Sequence, residues 1–211
     1  MKAGIPGAEA LPAIIFDLGG VMVDWDPRYL YRKFFPGDAG ALERFFEEVG
    51  WFDWNCKLDA GWPVAEAIEE LSAHFPHRAG LIQAYSSRYE ESLGGQIEPN
   101  IRLLGELCQA GYPVYALSNW PYELFQRVRS RYAFLDWFDG MVISGEVGLI
   151  KPDPRIFEVT LEKVARPAGE CIFVDDSQAN IDAARELGFR TVLYLDPGQL
   201  QADLRAAGIR L

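Results

Sequence analysis

The chain has 211 residues, 49% of them apolar and 24% charged, enough to bury a core without disulfide staples and too short for more than one domain with an insert. The formal charge of −11 argues against phosphate backbones and anionic lipid as partners, so neither nucleic acid nor a membrane is expected. A small anionic substrate stays open where the site carries its own cations.

In chain order, residues 1–12 carry one lysine and the apolar run Ala13–Phe16 meets Asp17 at once, so no secretion signal is expected. That run is a first buried strand. Residues 27–93 show no strand pattern. Helical spacing recurs instead at 29–35, 41–49, 64–75 and 79–91, punctuated by Gly37, Gly61-Trp62-Pro63 and Pro76. Beyond it, apolar runs at 113–117, 141–143, 171–174 and 191–195 alternate with helical patterns at 100–110, 122–131, 155–163 and 180–187. Runs that are apolar throughout belong to a parallel sheet covered on both faces. The prediction is an α/β fold, a Rossmann-like parallel sheet with an all-helical insert, divided as core 1–22 and 96–211 and insert 23–95. Cys56, Cys108 and Cys171 are odd in number and widely spaced, which suits a reduced, cytoplasmic compartment, with Cys108 and Cys171 as small core residues. Monomer and homodimer are equally open.

Open α/β sheets bind ligands beyond the carboxyl ends of their strands. Four such ends carry polar groups here: Asp17, Ser118-Asn119, Lys151 and Asp175-Asp176. Three carboxylates in a partly dry cleft repel one another, and one lysine offsets only one of them. Either some are protonated or a cation sits among them, and a hard divalent ion such as Mg²⁺ is the plain solution. Ser118 and Lys151 are then donors for an anionic substrate, and Asp17 is the candidate nucleophile. Taken singly, Asp17 reads equally well as a turn or helix cap and Lys151 as a surface lysine.

Together, Asp17-Leu-Gly-Gly-Val21, Ser118-Asn119, Lys151-Pro-Asp-Pro154 and Val174-Asp-Asp-Ser-Gln-Ala-Asn180 resemble, in order, the four motifs of the haloacid dehalogenase-like hydrolase superfamily. The insert resembles its cap domain, and the opening Phe-Asp-Leu-Gly is similar to that of its small sugar-phosphate phosphatases. The resemblance implies a Mg²⁺-dependent phosphatase acting on a small phosphomonoester. In it Asp17 is nucleophile and metal ligand, the Gly19 carbonyl and Asp176 are further ligands, and Asp175 and Asn180 stand behind them. Ser118 and Asn119 hold the phosphoryl oxygens, and Lys151 neutralises the transferring group.

One departure matters. Many of these phosphatases carry a proton-donating Asp two residues after the nucleophile, where this chain has Gly19. Asp24 and Asp26 at the cap hinge are the nearest substitutes; His74 and His77 read as exposed loop residues. Metal-free 2-haloacid dehalogenases also lack that acid, but they replace the paired acids kept here as Asp175-Asp176 and need a cap arginine. A phosphate-binding protein without fast chemistry is the third reading. The aromatic stretch Trp51–Asp59 reads either as a lid wall, with Lys57 touching substrate, or as packing between cap helices.

Overall fold

The computed structural model describes residues 11–211; the reading of the N-terminus, and of the core before that point, lies outside the described residues. Five parallel strands form one sheet: β1 (Ala13–Phe16), β4 (Val114–Ser118), β5 (Gly140–Ile143), β6 (Cys171–Asp175) and β7 (Arg190–Leu193). Their spatial order is β5-β4-β1-β6-β7. The strand that bears Asp17 is therefore central, paired in register with β4 (Phe16 beside Ala116) and β6 (Phe16 beside Val174). Both faces are covered. Ile14, Phe16, Ala116, Ile172 and Val174 pack into one cluster, and Ala13, Ile15, Leu117, Val142 and Phe173 into another. This two-sided burial is why the inner strands β1, β4 and β6 are apolar up to their carboxyl ends, each large side chain contributing about 1.5–3 kcal/mol.

Helices α6 (Glu98–Gln109), α7 (Tyr122–Val128), α9 (Pro154–Val164), α10 (Gln178–Glu186) and α11 (Pro197–Ala206) follow strands or precede them. The start of α9 is fixed chemically: Pro154 is preset for a first helical turn, and the Asp153 carboxylate accepts the Arg155 N–H at 2.9 Å. Among the described residues, no helix is long and apolar enough to cross a membrane.

Between β1 and α6 the chain forms α1 (Pro27–Tyr31), α2 (Ala39–Val49), α3 (Trp51–Asp59), α4 (Val64–His74) and α5 (Ala79–Ser87). Their core is aromatic. The Trp51 ring lies 5.1 Å from Phe46 and 5.3 Å from Tyr85, centroid to centroid, and Tyr31 lies 5.2 Å from Phe45. Two features differ from the sequence expectation. The aromatic stretch at 51–59 is itself a helix, and the insert is bounded by β2 (Val23–Trp25) and β3 (Leu93–Gln96), an antiparallel pair with a register break between Asp24 and Trp25. A three-residue strand facing Leu-Gly-Gly-Gln carries no apolar signal, so pairing rather than propensity makes it. Cys171 is buried as expected, whereas Cys108 is only half-buried and Cys56 is exposed; all three are free thiols.

The loops above the sheet are packed backbone to backbone. The Gly145 N–H donates to the Trp120 carbonyl at 3.2 Å, and a Cβ on Gly145 would meet that oxygen at 2.8 Å and the Tyr122 nitrogen at 2.5 Å. Gly145→Ala is expected to cost about 1–3 kcal/mol, lowering Tm by about 2–4 °C for each kcal/mol. Thermal unfolding followed by circular dichroism checks this, and an unchanged Tm would show that the loop yields freely.

Candidate active site at the carboxyl edge of the sheet

A cavity of about 480 Å³ opens over the ends of β1, β4 and β6. Asp17, Gly19, Lys151, Asp176 and Asn180 line its floor, and Trp25, Asn55, Asp59, Tyr85 and Tyr89 its roof. Asp17 sits where the central strand ends. Its Oδ1 accepts the Leu18 N–H at 2.7 Å and the Lys151 ammonium at 3.0 Å, so Oδ2 has no protein partner among the described residues. Lys151 is 3% exposed and also donates to Asp175 Oδ2 at 2.6 Å and to the Leu117 carbonyl at 3.0 Å. All three of its donors are used. Asp175 is equally committed, since its Oδ1 accepts the Ser177 N–H at 2.8 Å and the Asn180 amide at 2.9 Å.

The Asn119 side chain clamps the Lys151 backbone, donating to its carbonyl at 3.0 Å and accepting its N–H at 2.8 Å. The Asn119 amide is thus engaged within the protein, and the part of Asn119 left for a ligand is its backbone. Ser118 closes β4 and is 1% exposed, below the cavity wall that Asn119 and Trp120 make.

The charges are in tension. Burial pushes the Asp17 carboxyl up to about 7; Lys151 pulls against this, and the Asp175 and Asp176 charges add to it. Burial also raises Asp176, with Asp175 adding to the shift. Burial alone would lower the Lys151 ammonium, but Asp17 and Asp175 outweigh it and hold it above its ordinary value. Asp17, Asp175 and Asp176 each bring an oxygen within 4.8 Å of the others. Asp175 is saturated by protein donors, which leaves the Asp17 and Asp176 carboxylates as the acids of this cluster that can still take a cation. Gly20 belongs to the same arrangement: its φ is +73°, and a Cβ there would collide with Asp176 Oδ2. An all-oxygen, hard donor set of this kind fits a Mg²⁺ ion.

The hinge acids do not reach this cavity. Asp24 accepts the Tyr29 hydroxyl at 3.0 Å, and Asp26 caps α1 by accepting the Arg28 N–H at 2.8 Å. Lys57 is exposed over the Trp62 ring at 5.7 Å and does not line the cavity, while Trp51 and Trp54 are buried in the packing between cap helices. His74 and His77 are exposed, bonded to the Glu70 carbonyl and to Glu48.

Among the roof residues that escaped sequence reasoning are Asn55 and Asp59 of α3. The signal was there in retrospect. They are spaced i, i+4 and so share a helix face, and both are buried. The Asn55 amide donates to Asp59 Oδ2 at 3.0 Å, and the Tyr85 hydroxyl donates to Asn55 Oδ1 at 2.6 Å. Burial, then the nearby Asp17 charge, pushes the Asp59 carboxyl up to about 7, with Lys151 opposing.

A buried carboxylate and lysine thus stand at the edge of a parallel sheet, roofed by helices inserted after the first strand. A family model for haloacid dehalogenase-like hydrolases matches residues 11–188, and the chain belongs to that family. It is similar to a sesquiterpene phosphatase of Aspergillus oryzae, 29% identical over 184 residues that cover 83% of this chain and 86% of the relative. It is also similar to the D-ribitol-5-phosphate phosphatase of Bacteroides thetaiotaomicron, 29% identical over 189 residues covering 84% and 89%. Its fold is shared by a HAD family enzyme of Bacteroides thetaiotaomicron solved with magnesium and inorganic phosphate, at a TM-score of 0.66 and 24% identity, covering 87% of this chain and 93% of that one. The protein is thus a hydrolase with phosphatases among its named relatives.

The Asp59 shift sets a pH dependence. The folded state holds the Asp59 proton more tightly than the unfolded chain, so its contribution to stability is full below 3.8 and is lost as pH rises through about 7. Asp59→Asn keeps the shape without the charge. Relative to wild type it is expected to gain stability across that window and to level off above it. Urea unfolding in chelator at about pH 5 and about pH 8 measures the difference, and a pH-independent difference would contradict the assignment.

Proposed function

We propose that the protein is a Mg²⁺-dependent phosphatase that hydrolyses a small phosphomonoester whose alcohol portion is uncharged, such as a sugar phosphate. The observation that carries this reading is the Asp17 carboxylate, held on one oxygen by the Leu18 N–H and Lys151, with its other oxygen free of protein donors among the described residues, in a cluster with Asp175 and Asp176. Fixing one oxygen orients the other for in-line attack, which is the part of phosphoryl transfer a protein can supply.

The reaction proceeds by two displacements. Asp17 Oδ2 attacks phosphorus and the bond from phosphorus to the alcohol oxygen breaks, leaving an aspartyl phosphate. Water then attacks the same phosphorus, the bond to Asp17 breaks, and inorganic phosphate leaves with the carboxylate restored. Lys151 offsets negative charge on Asp17 and on the transferring group. Asp17, the Gly19 carbonyl and Asp176 would hold Mg²⁺, with Asp175 and Asn180 behind them. When bound, the ion neutralises the acids and the phosphoryl oxygens. Ser118 and the Asn119 N–H complete the phosphate cradle.

Residues 23–95 act as the cap that closes over substrate and excludes water. Its cavity face supports the uncharged alcohol. Trp25, Tyr85 and Tyr89 offer ring faces, and among the described lining residues Lys151 is the sole cation. The Trp25 indole N–H is buried without a protein partner, a donor left for a ligand hydroxyl. The same lack of a cap cation weighs against gripping the carboxylate of a 2-haloacid, although Gly19 alone would suit a halide, which departs without a proton.

A panel of sugar and terpenyl phosphates, assayed with Mg²⁺ and with chelator beside halide release from 2-chloropropionate, tests the reading. Phosphate release that requires Mg²⁺ is the expected result, and Asp17→Asn is expected to lower kcat by on the order of 10⁴–10⁶-fold with the fold retained. Halide release without metal would replace this reading with the dehalogenase. Phosphate binding without turnover would replace it with a binding protein.

A further inference from the structure

A phosphatase of this design lacks an obvious proton donor, because Gly19 stands where the acid would be. An alkoxide leaving group is strongly basic, and protonating it in the transition state is worth about 10²–10⁴-fold. The titratable groups that line the cavity are few: Asp17, Asp59, Tyr85, Tyr89, Lys151 and Asp176. Asp17 is the nucleophile, and Asp176 faces the metal oxygens. Lys151 has every donor engaged. Burial drives the Tyr85 and Tyr89 phenols well above their ordinary value, so neither can cycle through its anion near neutrality.

We propose, on the phosphatase reading above, that Asp59 of the cap helix is the general acid and base of the reaction. It gives its proton to the alcohol oxygen as the bond from that oxygen to phosphorus breaks, and so becomes a carboxylate. It then takes a proton from the water that attacks the aspartyl phosphate, which restores its acid form as Asp17 departs from phosphorus. Protons and charge balance over the cycle with no other participant.

Its placement is built rather than incidental. Asp59 is 9% exposed and roofs the cavity whose floor holds Asp17. Its Oδ2 accepts the Asn55 amide at 3.0 Å, itself oriented by the Tyr85 hydroxyl at 2.6 Å, while Oδ1 has no protein partner among the described residues and is free to carry the mobile proton. The backbone is anchored too. The Ser144 hydroxyl donates to the Asp59 carbonyl at 2.6 Å and accepts the Trp120 N–H at 2.9 Å, tying the end of α3 to the loop that follows Ser118. A carboxyl held up to about 7 by burial can serve in both protonation states near neutrality.

The test compares two probes, 4-nitrophenyl phosphate, whose leaving group needs no proton, and phenyl phosphate, whose more basic leaving group gains from one. In Asp59→Asn, kcat/KM for phenyl phosphate is expected to fall by about 10²-fold or more and that for 4-nitrophenyl phosphate by less than about 10-fold. Asp59→Ala gives the same readout should the Asn variant fail to fold. Equal losses on both probes, or none on either, overturn the role of Asp59 while wild-type turnover that depends on Asp17 leaves the phosphatase reading standing. Wild type inactive on both probes and on the sugar and terpenyl phosphates removes that reading and this inference with it.

Discussion

The site depends on one buried ammonium. Lys151 joins three separate strand ends at a single point: Asp17 after β1, the Leu117 carbonyl of β4 and Asp175 of β6. Each partner is expensive to bury alone, and a broken buried ion pair costs about 3–5 kcal/mol because the remaining charge has no solvent to answer it. The mutual satisfaction also fixes geometry. Lys151 cannot serve both carboxylates unless the loop after α8 (Ser144–Val147) lies over the sheet, and the Asn119 clamp on its backbone holds that loop there.

The division of labour among the acids follows from hydrogen-bond counting. Asp175 has both oxygens engaged by donors that belong to the fold and behaves as part of the scaffold. Asp17 is half engaged, and Asp176 is left to whatever the cavity receives. Adjacent residues of the same type thus take opposite roles. The chain turns between them, so one carboxylate points back toward Lys151 and the other lies against Gly20, where a side chain would not fit.

Much of the sheet was legible because its strands are buried on both faces and therefore carry unbroken apolar runs; the runs at 171–174 and 113–117 fall within a residue of β6 and β4. The polar residues at their ends were legible for the complementary reason, since Asp17, Ser118 and Asp175 interrupt sequences that otherwise exclude polar groups. The cap was harder. Trp51–Asp59 has aromatic residues on more than one side, which blurs the helical period, and β3 owes its existence to a partner distant in the chain. The i, i+4 spacing puts Asn55 and Asp59 on one helix face, but which way that face turns is set by the docking of α3 against Ser144, distant in the chain.

The paired strands β2 and β3 carry both of the chain's crossings between the sheet and the inserted helices, side by side, with the ladder interrupted at Asp24. Trp25, Asn55, Asp59 and both roofing tyrosines belong to that pair or to the segment between its strands, where the aromatic cluster packs. The two halves of the cavity thus stand on either side of this crossing, and the proposed chemistry needs both, the acids of the floor and the cap residue above them.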